Sequence, residues 1–190
     1  MSAQNLWDLA LRKGIVMTGH FKLSSGRHSN VYFNKDALYC DPMLYAMVIR
    51  GMEYLSSVVG KQNFEVVTAP AVAGIALAAP VALYFGKVFA YTEKAPFEMT
   101  FRKPYQQAIA GKRVLILEDI VTTGASVDRV MRAVKAAGGD VIDVCCIWNR
   151  GGAEWGDCPI LSLLKEPPAN DWTATDCPLC AAGVELTQPK

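Results

Sequence analysis

Two neighbouring acids precede a run of small polar residues just past the midpoint of the chain. The segment VLILEDIVTTGAS, residues 114–126, passes from an apolar strand into Glu118 and Asp119 and then into the loop TTGAS. Where such a loop begins a helix, unpaired backbone N–H groups and the helix dipole favour an anion. The segment therefore combines an acidic pair with a loop suited to phosphate. A phosphate group alone would bind the loop but would be repelled by the two acids.

The loop has the residues that a phosphate monoester requires, since hydroxyl groups donate hydrogen bonds and small residues admit close approach. It is neither a Walker loop nor a dinucleotide fingerprint, because the sequence has no Gly-Lys-Ser/Thr and no G-x-G-x-x-G. A ribose phosphate resolves the conflict: the carboxylates accept hydrogen bonds from the sugar diol, and the loop holds the 5′-phosphate. The residues of this predicted phosphate loop are Thr122, Thr123, Gly124, Ala125 and Ser126.

Two other interpretations of the acidic pair are possible. Glu118 and Asp119 could be only a solvated strand end and a helix cap, which the density of the pattern disfavours. They could also be the phosphoacceptor region of a receiver domain, but such a pair should open its domain, and this one lies past the midpoint.

The elements that must position these residues alternate along the chain. Helical spacing and caps predict helices over 3–13 and 42–60, and two short strands are expected within 19–34. A polar gap at 92–110 is either a lid or an ill-ordered loop. The remaining pattern predicts strands 64–69, 87–91, 114–118 and 141–147 with helices 74–85 and 125–137, which indicates an α/β fold with a parallel sheet covered on both faces.

Length and composition favour one domain. The 190 residues are 52% hydrophobic and 19% charged, as expected of a folded chain with a sizeable core. We expect a single domain over 1–190, made of an N-terminal hood segment (1–40), a core (60–165) and an irregular tail (166–190).

Charge and hydropathy exclude several partners. The net charge of +1 gives no basic surface, so no nucleic acid is expected. Residues 66–86 carry no charge and imitate a membrane span, but Pro70, Gly74 and Pro80 divide them into strand, turn and helix, so no membrane contact is expected. The N-terminus lacks a secretory leader, and a cytoplasmic location is expected.

The cysteines and histidines give weaker signals. The six cysteines need form no disulfide framework in a chain of this size. The CPLC segment with Cys177 and Cys180 is half of a zinc motif and would need Cys158 and a third ligand, or a second subunit, to complete a site, so a reduced structural pair is favoured over a metal site. His20 and His28, with no catalytic partner in view, are interpreted as structural or peripheral.

Three segments together resemble one enzyme family. VLILEDIVTTGAS resembles the phosphoribosyl pyrophosphate (PRPP) signature of type I phosphoribosyltransferases, while FKLSSGRHSNVYFN (21–34) and IWNRGG (147–152) resemble segments of orotate phosphoribosyltransferases. The resemblance implies a type I fold with a small hood and transfer of phosphoribose from PRPP to orotate, giving orotidine 5′-monophosphate and pyrophosphate for pyrimidine synthesis. It also implies Mg²⁺ held mainly through PRPP, with no protein metal ligand, and a homodimer.

The resemblance also assigns residues by position. Glu118 and Asp119 would hold the ribose hydroxyls, and Lys94 would contact phosphate. Arg150 would pair with the orotate carboxylate in a bidentate fork, helped by Thr122. The segment TAPAVAG matches the family's pyrophosphate loop, and the further residues implied are Ala69, Pro70, Ala71, Val72 and Ala73 for the diphosphate and Tyr32 and Phe33 beside the base.

The chain departs from the family pattern in its mobile loop. Glu93 stands where arginine is frequent, Ser24 where some relatives carry lysine, and FEMTFRKPYQQ replaces the usual Lys-Asp-His-Gly sequence. Arg102 and Lys103 are therefore the candidates to stabilise pyrophosphate, with Lys94 and Asp119 as the other catalytic residues. Closure of 95–109 would exclude water from the electrophilic sugar.

Two alternatives remain. A phosphoribosyltransferase for a purine base would not usually need a cation at Arg150. A regulator that binds PRPP without turnover should carry a DNA-binding helix pair, and the residues before the first strand are too few for one.

Overall fold

A six-stranded, mostly parallel sheet forms the centre of the molecule. The structure is a computed structural model that describes residues 3–23, 25–58, 63–153, 160–164 and 169–189. The helices are α1 (Ala3–Arg12), α2 (Lys35–Cys40), α3 (Pro42–Val58), α4 (Ile75–Phe85), α5 (Lys103–Ile109), α6 (Ala125–Ala136) and α7 (Pro178–Ala181). The strands are β1 (Val16–Lys22), β2 (His28–Phe33), β3 (Val66–Pro70), β4 (Val88–Lys94), β5 (Met99–Thr100), β6 (Arg113–Val121), β7 (Asp140–Asn149), β8 (Ile160–Leu164) and β9 (Asp171–Trp172).

Helices cover both faces of this sheet. The strand order is β5-β4-β3-β6-β7-β8, in which β5 pairs antiparallel with β4 and the other neighbours are parallel. Along β6, Leu115 and Leu117 join one core cluster with α1, α3 and α4, while Val114 and Ile116 join a second with α5 and α6. A strand buried on both faces needs a continuous apolar run, which is what VLIL supplies. The predicted α/β class is confirmed.

The hood is a second, antiparallel sheet that includes the C-terminal segment. Its strand order is β1-β2-β9, with His28 opposite Trp172 and Ser29 opposite Asp171. An ion pair of 3.0 Å between Arg27, just before β2, and Asp171 of β9 stabilises the pairing of these two strands. The tail predicted to be irregular thus contains β9 and α7 within residues 169–189, and it completes the hood.

Helix α4 runs through Pro80 because another residue replaces the missing hydrogen bond. A proline within a helix has no N–H to donate to the carbonyl four residues earlier, here that of Ala76. The Tyr45 hydroxyl of α3 donates to that carbonyl oxygen at 2.6 Å. The proline therefore helps to join α3 to α4.

The polar gap at 92–110 is more ordered than the sequence indicates. It contains the hairpin of β4 and β5, in which Glu93 pairs with Thr100, and then α5.

Helix α2 was not predicted, because six residues are too few to show a repeating helical pattern of apolar positions. The predicted end of the 42–60 helix lies beyond Val58, outside the described residues. No helix in the described ranges is long and apolar enough to span a bilayer.

Candidate active site

A cavity of about 870 Å³ lies between the hood and the carboxyl ends of β3, β6 and β7. Ligands of open parallel sheets bind at this edge, because the loops that follow the strands meet there. The predicted residues that line the cavity are Tyr32, Phe33, Pro70, Ala71, Val72, Ala73, Lys94, Glu118, Asp119, Thr122, Thr123, Ser126 and Arg150.

The two acids lie on β6 and are nearly buried. Glu118 is 6% exposed and Asp119 5%. Burial, together with the adjacent Asp119 carboxylate, raises the pKa of Glu118 well above its ordinary value. A pair of carboxylates held this close favours ligands that donate hydrogen bonds or carry positive charge.

Two residues of α2 complete the acidic end of the cavity. Lys35 Nζ lies 3.0 Å from Asp119 Oδ2. Partial burial disfavours the lysine charge, but Asp119, with Asp36 and Glu118, outweighs this effect and raises the pKa of Lys35. Burial and the Asp119 charge also raise the pKa of Tyr39. The acidic pair is therefore balanced in part by one ammonium group.

The loop after β6 leads into the N-terminus of α6. Gly124 precedes the helix with φ of 75°, a left-handed conformation that glycine adopts without strain. Of the first-turn N–H groups, that of Ala125 donates a long hydrogen bond of 3.5 Å to Thr123 Oγ1. The side chains of Thr122, Thr123 and Ser126 line the cavity beside this turn. Open N–H groups, hydroxyls and the positive end of a 12-residue helix make this an anion site.

A second loop, residues 71–74, faces the same cavity between β3 and α4. The backbone N–H of Ala71 donates to Thr92 at 2.9 Å, and the Tyr39 hydroxyl donates to the Ala73 carbonyl at 3.3 Å. The Ala71–Val72 peptide is cis. In the described chain the N–H groups of Val72, Ala73 and Gly74 have no acceptor, so they can receive a second anionic group.

Arg150 lies at the end of β7 as a buried cation. It is 5% exposed, its Nη2 donates to Ser29 Oγ at 2.6 Å, and its guanidinium lies 5.5 Å from the centre of the Trp148 ring. Burial lowers the pKa of Arg150, an effect that Asp171 opposes. Its Nε has no acceptor among the described residues. Arg150 also lines the cavity, so this buried cation favours an anionic ligand there, and a planar carboxylate suits a guanidinium.

The glycine after Arg150 brings β7 against the phosphate loop. A Cβ on Gly151 would collide with the carbonyl oxygen of Thr122, and the Gly151 N–H donates to the Val121 carbonyl at 3.2 Å. Only glycine permits this approach. The close contact fixes the distance between the Arg150 guanidinium and the loop that follows Asp119.

Most of the chain matches one known protein family. The model of the phosphoribosyl transferase domain matches residues 43–178. The orotate phosphoribosyltransferase of Carboxydothermus hydrogenoformans is 34% identical over 100% of this chain and 98% of that relative. The chain belongs to the orotate phosphoribosyltransferase family.

Solved phosphoribosyltransferases share the fold. The orotate phosphoribosyltransferase of Aeropyrum pernix is 23% identical, with a TM-score of 0.64 over 96% of this chain and 91% of that chain. The adenine phosphoribosyltransferase of Saccharomyces cerevisiae is 18% identical, with a TM-score of 0.67 over 85% of this chain and 98% of that chain. Because enzymes for different bases fit equally well, the fold alone does not identify the base.

Some predicted residues lie outside the lining of the phosphoribosyltransferase cavity. Ala69 of β3 pairs with Tyr91 of β4 and its side chain is in the core, so it belongs to the sheet and not to the open loop. Gly124 and Ala125 shape the turn beneath the hydroxyls. Both Arg102 and Lys103 lie within the described residues but outside the lining of the cavity. Lys103 is the first residue of α5, and Arg102, which precedes it, forms an ion pair of 2.6 Å with Glu93. Their catalytic role stays a prediction.

Other residues of the site were missed from the sequence. Lys35 and Tyr39 belong to the short helix α2, and Ser29 holds Arg150 from the hood. The detectable signal for α2 was Asn34, whose side chain accepts a hydrogen bond from the Ala37 N–H at 3.0 Å as a helix cap. Ser29 gave no signal, because its role depends on a contact across 121 positions.

Proposed function

We propose that the phosphoribosyltransferase transfers the 5-phosphoribosyl group of PRPP to orotate, giving orotidine 5′-monophosphate and pyrophosphate in pyrimidine synthesis. The single observation that carries the choice of base is Arg150, a buried guanidinium whose Nε has no partner in the described structure. The names of the relatives agree with this choice.

PRPP fits the cavity by its three polar parts. The hydroxyls and N–H groups at the start of α6 suit the 5′-phosphate, and the open N–H groups of loop 71–74 suit the diphosphate. Glu118 and Asp119 lie between them, where they can accept hydrogen bonds from the ribose diol. Lys94 also lines the cavity and supplies a cation for phosphate oxygen.

The donor set also fits magnesium, which prefers oxygen ligands and usually binds through substrate phosphates. Glu118 and Asp119 provide carboxylate oxygens beside the diphosphate position, though we propose that the ion is held mainly by PRPP itself. When bound, Mg²⁺ neutralises the charge of the departing pyrophosphate.

Chemistry requires positioning rather than a covalent protein nucleophile. The orotate nitrogen loses its proton and forms a bond to the anomeric carbon while the bond from that carbon to pyrophosphate breaks. Pyrophosphate leaves with the electron pair and can take up that proton. Arg150 orients the base through its carboxylate, with Thr122 adjacent and Tyr32 and Phe33 beside the ring. Asp119 holds the ribose as positive character develops on its anomeric carbon.

Base selection tests this proposal. Product formation from PRPP and Mg²⁺ is measured with orotate, uracil, hypoxanthine and adenine, and turnover is expected with orotate alone. Arg150→Ala should lower kcat/KM for orotate by at least about 100-fold, since a charged pair in a buried site is lost, while PRPP affinity changes little. Arg12→Ala, a change at an exposed position of α1, is the control.

Turnover of a purine base by the unmodified enzyme would overturn the choice of orotate and favour the purine alternative. Binding of PRPP without turnover of any base would instead favour a regulator. Retention of orotate turnover in Arg150→Ala would show that another residue recognises the carboxylate.

We also propose that all 190 residues work as one domain and that two copies form a homodimer. The tail completes the hood, and hood and core line one cavity. Exposed apolar side chains on α3 and α4 support a dimer, including Tyr54 (67% exposed) and Tyr84 (65%), which line a common groove. Cys40, Cys177 and Cys180 form no disulfide in the structure, which supports a cytoplasmic location.

A further inference from the structure

Four nitrogen and sulfur ligand atoms converge where the hood meets the C-terminal segment. One ligand atom from each of His20, His28, Cys177 and Cys180 lies within 4.8 Å of the others. The histidines come from β1 and β2, and the cysteines come from the start of α7. The sequence alone favours a reduced structural pair, because CPLC is only half of a zinc motif. The structure adds the two histidines, which are more than 140 positions from the cysteines.

The distances within this His–Cys cluster suit a tetrahedral ion. His20 Nε2 lies 3.0 Å from His28 Nδ1 and 3.4 Å from Cys177 Sγ. Cys180 Sγ lies 3.7 Å from His20 Nε2 and 3.3 Å from His28 Nδ1. Zinc bonds of about 2.0–2.1 Å to nitrogen and 2.3 Å to sulfur place tetrahedral ligands roughly 3.3–3.8 Å apart, so small adjustments would complete the site.

The hydrogen bond behind His20 prepares its ligand nitrogen. Nδ1 of His20 lies 2.8 Å from the Val184 carbonyl oxygen, which can only accept, so Nδ1 carries the proton. Nε2 is therefore the nitrogen with a free electron pair, and it points into the cluster. Histidine ligands of zinc are oriented in this way by a carbonyl or carboxylate behind them.

Burial and ligand type point to zinc rather than to a harder cation. His20, His28 and Cys177 are at most 4% exposed, while Cys180 lies at the rim. Two imidazoles and two thiolates in a tetrahedral arrangement favour zinc, whereas Mg²⁺ and Ca²⁺ prefer oxygen. Four protein ligands leave no open position, as in sites that stabilise a fold.

We propose that His20, His28, Cys177 and Cys180 bind one zinc ion that fastens the C-terminal segment to the hood. The strands on either side support this role: Thr187 hydrogen-bonds with His20 and Lys22 of β1, and β9 pairs with β2. The same tail places Gln188 and Pro189 in the cavity lining, and β2 carries Ser29, which accepts from Arg150. The ion thus stabilises the wall against which the base site is built.

Metal analysis of the full-length protein, purified without chelators, tests the site. About one zinc per chain is expected, and X-ray absorption should show two sulfur neighbours near 2.3 Å and two nitrogen neighbours near 2.0 Å. Cys177→Ser/Cys180→Ser and His28→Ala should each lose the metal. Cys40→Ser, at an exposed free cysteine outside the cluster, should retain it.

Removal of zinc from the unmodified protein tests the fastening role even if those variants do not fold. A strong chelator should lower Tm by roughly 5–10 °C, and added zinc should restore it. Neither readout depends on which base the enzyme uses. The proposal is overturned by protein without metal, by iron in place of zinc, by a mass 2 Da lower from a Cys177–Cys180 disulfide, or by metal removal that leaves Tm unchanged.

Discussion

At the scale of single residues, the site is built from buried charges. Glu118, Asp119 and Arg150 are each at most 6% exposed, although charged side chains are rarely buried without close partners. Lys35 balances Asp119, while Arg150 donates only to a serine hydroxyl in the described structure. The ligand-free protein therefore bears an electrostatic cost that substrate binding can relieve.

Glu118 should make stability depend on pH. Its raised pKa means that the folded protein holds a proton that the unfolded chain has released, so the free energy of unfolding falls as pH rises from near 4.5 through the raised pKa. Glu118→Gln removes this loss and should raise Tm of the ligand-free protein at pH 7.5. Thermal unfolding between pH 5 and 8 measures the difference.

The control for this prediction is Glu65→Gln, where the sign is opposite. Lys112 and the Arg113 N–H donate hydrogen bonds to the Glu65 carboxylate and lower its pKa. The contribution of Glu65 to the free energy of unfolding is therefore present at neutral pH and is lost as pH falls. Tm should not rise in this variant. An unchanged or lower Tm in Glu118→Gln at pH 7.5 would contradict the assigned pKa direction.

At the scale of elements, strand ends and short turns set the geometry of the cavity. Gly151 lets the end of β7 touch the loop after β6, and any Cβ there must displace the Thr122 carbonyl. Gly151→Ala should lower the free energy of unfolding by about 2–4 kcal/mol. It should also raise KM for both PRPP and orotate by at least about 10-fold, because the two binding regions move apart.

The matched control is Gly86→Ala at the end of α4. Gly86 has φ of 61°, and the space that an added methyl group would fill is open, so its substitution costs only backbone strain, about 1–2 kcal/mol. Chemical denaturation and initial-rate kinetics separate the two variants. Equal KM values in both would show that the contact of Gly151 with Thr122 does not position the substrates.

The hairpin of β4 and β5 allows the predicted role of Arg102 to be tested. Arg102 and Glu93 are exposed, so Arg102→Ala should change the free energy of unfolding by less than about 1 kcal/mol. If closure carries the guanidinium to pyrophosphate, kcat should fall by about 10²-fold with little change in KM for orotate. Lys103→Ala and Glu93→Gln are the comparisons, and wild-type kcat in Arg102→Ala would remove it from the catalytic set.

The sequence predicted the elements with strong periodicity and the loops attached to them. Strand β6, its acids and the phosphate loop were found because an apolar run, a turn and a helix follow in order. The contributions of Lys35, Tyr39 and Ser29 were not found. Lys35 and Tyr39 lie on a helix too short to show a repeating pattern of apolar residues, and Ser29 depends on a contact between distant segments. Local sequence patterns encode neither feature.

At the scale of the whole molecule, the groove between α3 and α4 should hold the second copy. Tyr54 is 67% exposed, so Tyr54→Glu costs the single chain little but places a charge in a dimer interface. We expect this variant to elute as a monomer in size-exclusion chromatography with light scattering. Phe97→Glu, at an exposed position in another region, should remain a dimer; a dimeric Tyr54→Glu would place the interface elsewhere.

The pairing of β1 and β2 with the C-terminal segment also dictates the order in which the enzyme can mature. His20 and its partner carbonyl at Val184 are 164 positions apart, so their contact closes a long loop. The parallel sheet can assemble first, because β3 to β7 are complete by Asn149. The hood pairs Ser29 with Asp171, which are farther apart in the chain than any neighbouring strands of the parallel sheet. We therefore expect the phosphate loop to be ordered before the wall that holds Arg150.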